Sequence, residues 1–271
     1  MATLNIESRF FVFYMLHVKR LEHSESQEWI VFIHGAGGSS SIWFKQVKAF
    51  SEHFNVLLID LRGHGKSKNH QTDKKYSFEM LANDVILTID KENISQAHFV
   101  GVSLGTIIIQ QIALTKPEVV KSMVYSGAVT KLTVKSRVLL RLGRVIHPFV
   151  PYMGLYSLFA RIIMPKKNHK QSRLLFIREA QKVMTKEFNR WFKLTARLTA
   201  HLGTLKYSQI KIPTLYIMGS EDHLFLPPVE EIVKINNAAA LKVVDNCGHV
   251  VNVEQSDIFN DYSIEFIRVN S

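Results

Sequence analysis

The chain of 271 residues carries 34 Lys plus Arg against 23 Asp plus Glu, a formal charge of +11, with 46% hydrophobic and 21% charged residues. That balance excludes a disordered or fibrous chain, and at this length one folded unit buries roughly three quarters of its extended-chain surface without covalent staples. The single cysteine, Cys247, excludes an intrachain disulfide framework and any multi-cysteine zinc or iron–sulfur site; it fits a reducing compartment, so a soluble, cytoplasmic protein is expected.

In chain order, the apolar run 10–16 follows Arg9. It is too short to span a bilayer and lacks a small-residue cleavage site, so it reads as a strand within 9–18, antiparallel at a sheet edge. Residues 29–33 read as a buried strand ending at His34-Gly35-Ala36-Gly37-Gly38, followed by a helix over 39–53. A second buried strand, 56–59, ends in Asp60-Leu61-Arg62-Gly63-His64-Gly65, and a helix over 78–91 comes next. Then come a strand at 98–100, a helix over 104–114 closed by Lys116-Pro117, and a strand at 123–125. Strands at 214–218 and 241–244 and a helix over 258–269 complete the pattern. Continuous apolar strands separated by helices predict a mostly parallel sheet covered on both faces.

The segment 131–206 stands apart, with 17 Lys plus Arg against two acids, Glu179 and Glu187. It therefore holds the whole basic excess. Its period is helical: Trp191, Leu194, Leu198 and Leu202 fall on one side of 187–202, and Lys186, Arg190, Lys193 and Arg197 on another. Arg137, Arg141 and Arg144 form a similar stripe beside Leu139, Leu142 and Ile146. The expected organisation is a core of 1–130 and 207–271 with a basic helical lid, 131–206, inserted before the last two strands.

Gly101-Val102-Ser103-Leu104-Gly105 places a serine between a strand and a helix in a G-x-S-x-G frame, the setting of a nucleophile elbow. A side chain at 101 or 105 would collide where strand and helix meet, and the turn holds the serine in a strained conformation. A serine hydroxyl needs a base, itself oriented by a carboxylate, in the chain order Ser, acid, His. Gly219-Ser220-Glu221-Asp222-His223 and Cys247-Gly248-His249 each follow a strand and supply that order. His249 is the expected base, Asp222 or Glu221 the acid, and His223 a structural residue. Backbone N–H groups of Ala36 and Leu104 are the expected oxyanion donors. The glycine loop lacks the features of a phosphate-binding loop. Cys247 is given no catalytic role.

Taken together, His34-Gly35, Asp60 to Gly65, Gly101 to Gly105, Gly219 to Asp222 with Pro227, and Gly248-His249 resemble the α/β-hydrolase fold superfamily, in its lidded serine esterase and lipase-like branch. The resemblance spans 31–254. It implies Ser103 as nucleophile, Asp222 rather than Glu221 as acid, His249 as base and Ala36 and Leu104 as oxyanion donors. It further implies an ester substrate of short to medium, lipid-like acyl chain, cleaved through an acyl-enzyme without metal or organic cofactor. Serine at the elbow speaks against relatives that carry aspartate there, the dehalogenases and epoxide hydrolases. The basic lid disfavours relatives that hold a cationic amine, and keeps open those that hold a carboxylate-bearing metabolite with lid arginines. A ligand-sensing signalling protein on the same fold is the remaining alternative. The basic stripes admit three readings: a solvated helix face, docking on an anionic membrane, or attraction of an anionic substrate. No recognition motif supports nucleic-acid binding.

Overall fold

The computed structural model describes residues 15–69, 75–205 and 207–271. Seven strands, β1 (His17–Leu21), β2 (Trp29–Ile33), β3 (Asn55–Asp60), β4 (Ala97–Val102), β5 (Val120–Ser126), β6 (Thr214–Gly219) and β7 (Ala239–Val244), form one sheet in the order β1-β3-β2-β4-β5-β6-β7. Among the described residues only the β1–β3 pairing is antiparallel. Successive side chains of a strand face opposite ways, and in the central strands β2 to β6 both faces are buried. In β2, Val31 and Ile33 enter one core layer while Ile30 and Phe32 enter the other. Helices α1 (Val47–Ser51), α2 (Phe78–Lys91) and α3 (Leu104–Thr115) follow the first strands. Ile107, Ile108, Ile109 and Ile112 make α3 apolar nearly all round, as its burial requires.

Five helices lie between β5 and β6: α4 (Val134–Ile146), α5 (Tyr152–Ile163), α6 (Lys170–Ala180), α7 (Thr185–Thr195) and α8 (Leu198–Thr204). Then come α9 (Leu226–Val233), α10 (Val251–Glu254) and α11 (Ser256–Val269). Among the described residues no helix is long and apolar enough to cross a membrane.

Three expectations need correction. The edge strand is antiparallel, but it runs over His17–Leu21, and the 9–14 part of its expected range lies outside the described residues. The expected helix over 39–53 is instead a 3-10 turn at Ser40–Trp43 followed by α1. Its start is pinned where Asp60 accepts the Ser40 N–H at 2.7 Å, and the buried Gln46 side chain donates to the Asn252 carbonyl at 2.8 Å. The helix over 187–202 breaks into α7 and α8, yet Trp191, Leu194, Leu198 and Leu202 all stay in the core.

Candidate active site

Ser103 occupies the turn from β4 into α3 with φ 52° and ψ −118°, a left-handed conformation uncommon for a residue with a Cβ. The turn is tight at both flanking glycines, and at Gly105 it is the backbone that leaves no room for a side chain. A Cβ on Gly105 would overlap the Ile33 carbonyl and lie 2.8 Å from that of His34, and one on Gly101 would meet Ile109 at 2.5 Å. The strain lifts Ser103 Oγ out at the carboxyl edge of the sheet, where open α/β sheets place their ligands.

The loops after β6 and β7 bring the other two side chains to the same edge. The Asp222 carboxylate is fully buried and only accepts, so His249 Nδ1–H donates to it at 2.7 Å. That leaves His249 Nε2 as the acceptor for Ser103 Oγ–H at 3.0 Å. The imidazole is held by the Phe225 ring, 5.0 Å away between centroids, and by Gly127, where a Cβ would lie 2.9 Å from His249 Nδ1.

Glu221, the rival acid, points elsewhere. Its carboxylate accepts from Lys166 Nζ and Asn168 Nδ2, each at 2.8 Å, and from His169 Nε2 at 2.7 Å. The hydrogen bonds from Asn168 and Lys166 hold its acidity at about 2, against an ordinary 4.5. Glu221 thus ties the loop after β6 to the approach to α6. The buried His169 side chain lies under Gly248, whose N–H donates to Glu254 at 2.7 Å. His223, exposed, takes no part in the hydrogen-bonded line of Ser103, His249 and Asp222. Burial pushes the Cys247 thiol far above its ordinary value, which leaves it a poor nucleophile.

The Ala36 and Leu104 N–H groups have no hydrogen-bond partner among the described residues, and both residues border a cavity that includes Ser103 and His249. Two groups not singled out from sequence shape this corner. His64 Nε2 accepts the Gly37 N–H at 3.0 Å, and its Nδ1–H donates to the Arg62 carbonyl at 3.0 Å. Burial, with His34 beside it, lowers the basicity of His64 to about 3, so the ring is neutral and its acceptor nitrogen stays available. Tyr156 Oη–H donates to the Ala36 carbonyl at 3.0 Å. His64 lies within the Asp60 to Gly65 motif, which was the available signal; Tyr156 had none beyond being one of several aromatics in a helical segment.

The cavity measures about 200 Å³. Its walls are Leu139, Leu140, Phe159, Phe188, Trp191 and Phe192 from the inserted helices, with Ile107 and Leu224 from beneath. No Lys, Arg, Asp or Glu side chain lines it among the described residues. Nor do three His, Cys, Asp or Glu side chains gather anywhere among them as a metal cluster.

Comparison with known proteins agrees with this architecture. A family model described as alpha/beta hydrolase fold matches residues 28–149. A Haemophilus influenzae protein whose name places it with esterases and lipases is 25% identical over 248 residues, covering 84% of this chain and 79% of that one. An enol-lactonase of Burkholderia xenovorans superposes with a TM-score of 0.74 at 23% identity, over 93% of this chain and 96% of the other. Est816, described as an N-acyl homoserine lactone degrading enzyme, gives 0.75 at 21%, over 93% and 97%. The chain has the α/β-hydrolase fold.

Proposed function

We propose that the protein is a serine hydrolase that cleaves carboxylic esters, lactones among them, with a small to medium apolar acyl part. The observation that carries this reading is the Ser103–His249–Asp222 hydrogen-bonded line opening into a cavity with apolar walls. His249 takes the proton from Ser103 as Oγ attacks the ester carbonyl, and Asp222 stabilises the imidazolium. The Ala36 and Leu104 N–H groups receive the oxyanion; donors of this kind contribute on the order of 10²–10³ in rate. The alcohol departs with the proton from His249, and a water activated by the same imidazole releases the acid.

Helices α4–α8 act as the cap over this site, with residues 131–206 as a unit distinct from the core. The Tyr156 hydroxyl and His64 Nε2 hold the carbonyl and the N–H of one and the same peptide, Ala36–Gly37, which follows the peptide bearing the Ala36 N–H, so the oxyanion loop is fixed before substrate arrives. The absence of a cationic wall favours an acyl chain over a metabolite carboxylate gripped by arginine. The test is a p-nitrophenyl ester series of rising chain length with the wild type and Ser103→Ala. The variant should lose turnover and labelling by a fluorophosphonate; labelling that persists would refute the role of Ser103.

A further inference from the structure

We propose that the outer face of α4 docks the protein on an anionic membrane surface. The helix is two-sided. Ser136 and Gly143 are buried, and Leu139 and Leu140 line the cavity, so the inner side belongs to the site. On the outer side Val134, Val138, Leu142 and Val145 are 66%, 46%, 56% and 67% exposed, and Phe149 just beyond the helix is 84% exposed. Steps of three and four residues stack these side chains into one continuous stripe. Large apolar side chains exposed in a row, rather than singly, mark an interaction surface.

The flanks of the stripe say what kind of partner it fits. Lys135 stands on one side and Arg137, Arg141 and Arg144 on the other, all exposed. None of the four forms an ion pair with an acid among the described residues. The two acids of the inserted segment are both turned inward. Glu179 accepts from Ser39 and Lys182, and Glu187 from Tyr76 and Arg190. The outer surface of this segment therefore offers cations without a compensating anion of its own. A second copy placed on the stripe would set arginines against arginines, which disfavours self-association. An anionic bilayer supplies both complements at once: negative headgroups for the cations, and an acyl boundary for a helix lying in the interface plane.

The placement deepens the ester-cleaving reading, because α4 alone separates the docking stripe from the cavity wall it shares. A lipid-like ester would then leave the bilayer at the helix whose inner side lines the cavity that holds Ser103. The surface proposal nonetheless has its own readout.

The experiment is sedimentation of the full chain with vesicles of phosphatidylcholine alone and of an equal mixture with phosphatidylglycerol. The comparison proteins are Leu142→Ser/Phe149→Ser and Arg137→Gln/Arg141→Gln/Arg144→Gln. Turnover of a water-soluble short-chain ester is followed in parallel. Expected is binding to the mixed vesicles only. The triple charge variant should bind on the order of 10²-fold more weakly, since each basic residue near the surface is worth roughly fivefold. The apolar variant should lose the binding that survives in high salt, while both variants keep the soluble activity. Absence of vesicle binding by an enzyme that still turns over the soluble ester overturns this proposal and leaves the esterase reading standing. Binding unchanged in both variants also overturns it, as does a vesicle-independent dimer that the same substitutions dissolve.

Discussion

Asp222 and Glu221 are adjacent carboxylates at the end of β6, and substituting each by its amide separates their roles. In Asp222→Asn the buried acceptor for His249 Nδ1–H, now 2.7 Å away, becomes an amide that presents its own N–H. The imidazole then carries its proton on Nε2, facing Ser103, and the base is lost. The expected fall in kcat is about 10⁴-fold, about 5 kcal/mol of transition-state stabilisation. Glu221→Gln keeps the shape but removes the charge that faces Lys166 and the buried His169. The Lys166 pair is 59% exposed on the lysine side and contributes under about 1 kcal/mol. The His169 hydrogen bond to a charged acceptor contributes about 1.5–3 kcal/mol. Urea melts should therefore show Glu221→Gln destabilised by about 2–3 kcal/mol, with kcat on p-nitrophenyl butyrate within a few-fold of wild type.

The pH dependence follows from the same contacts. Glu221 is more acidic in the folded protein, about 2, than its ordinary 4.5, so the unfolded chain binds the proton first on acidification. Its stabilisation is complete above about pH 5 and is lost as the pH falls towards 2. The stability gap between wild type and Glu221→Gln should close over that window. If Glu221→Gln proves the inactive variant and Asp222→Asn the active one, the reasoning fails.

Three further outcomes are expected. Gly105→Ala should destabilise by about 1–3 kcal/mol, because its Cβ overlaps the Ile33 carbonyl; Gly203→Ala, with nothing within 4 Å, should be neutral or gain up to about 1 kcal/mol, and equal thermal melts for the two would contradict the steric account. His64→Leu leaves the Gly37 N–H without its acceptor and should cost about 1–3 kcal/mol together with a reduced kcat at unchanged KM; a shift in KM alone would argue against a role in fixing the oxyanion loop. Cys247, buried and held as a thiol, should resist iodoacetamide at pH 8 in the native protein and react in urea, with native-state modification counting against the assignment.

Much of the fold was legible because its signals are local. Runs such as 29–33 and 56–59 are apolar on both faces, and a glycine pair about Ser103 has a steric reason that needs no neighbour to be known. The segment 39–53 misled because its apolar spacing suits one helix, whereas the Asp60 and Gln46 contacts that divide it come from distant residues. The edge strand runs on past its expected end at Val18 to Leu21, because His17–Leu21 is held by pairing with β3, a partner distant in sequence.

By itself the sequence determined the sheet-and-helix succession, the strained serine and the two loops from which an acid and a base had to come. The resemblance preferred Asp222 to Glu221, but the tertiary structure supplies the physical reason: neighbours in sequence leave the end of a strand in different directions, and Asp222 meets the imidazole of His249 while Glu221 meets His169. The tertiary structure likewise turned the arginines of α4 outward and Phe159 of α5 and Phe188, Trp191 and Phe192 of α7 inward, leaving among the described residues a cavity without Lys or Arg. Helical spacing defines the two sides of α4 but not which of them meets the sheet; that choice belongs to the burial of apolar surface across the whole chain.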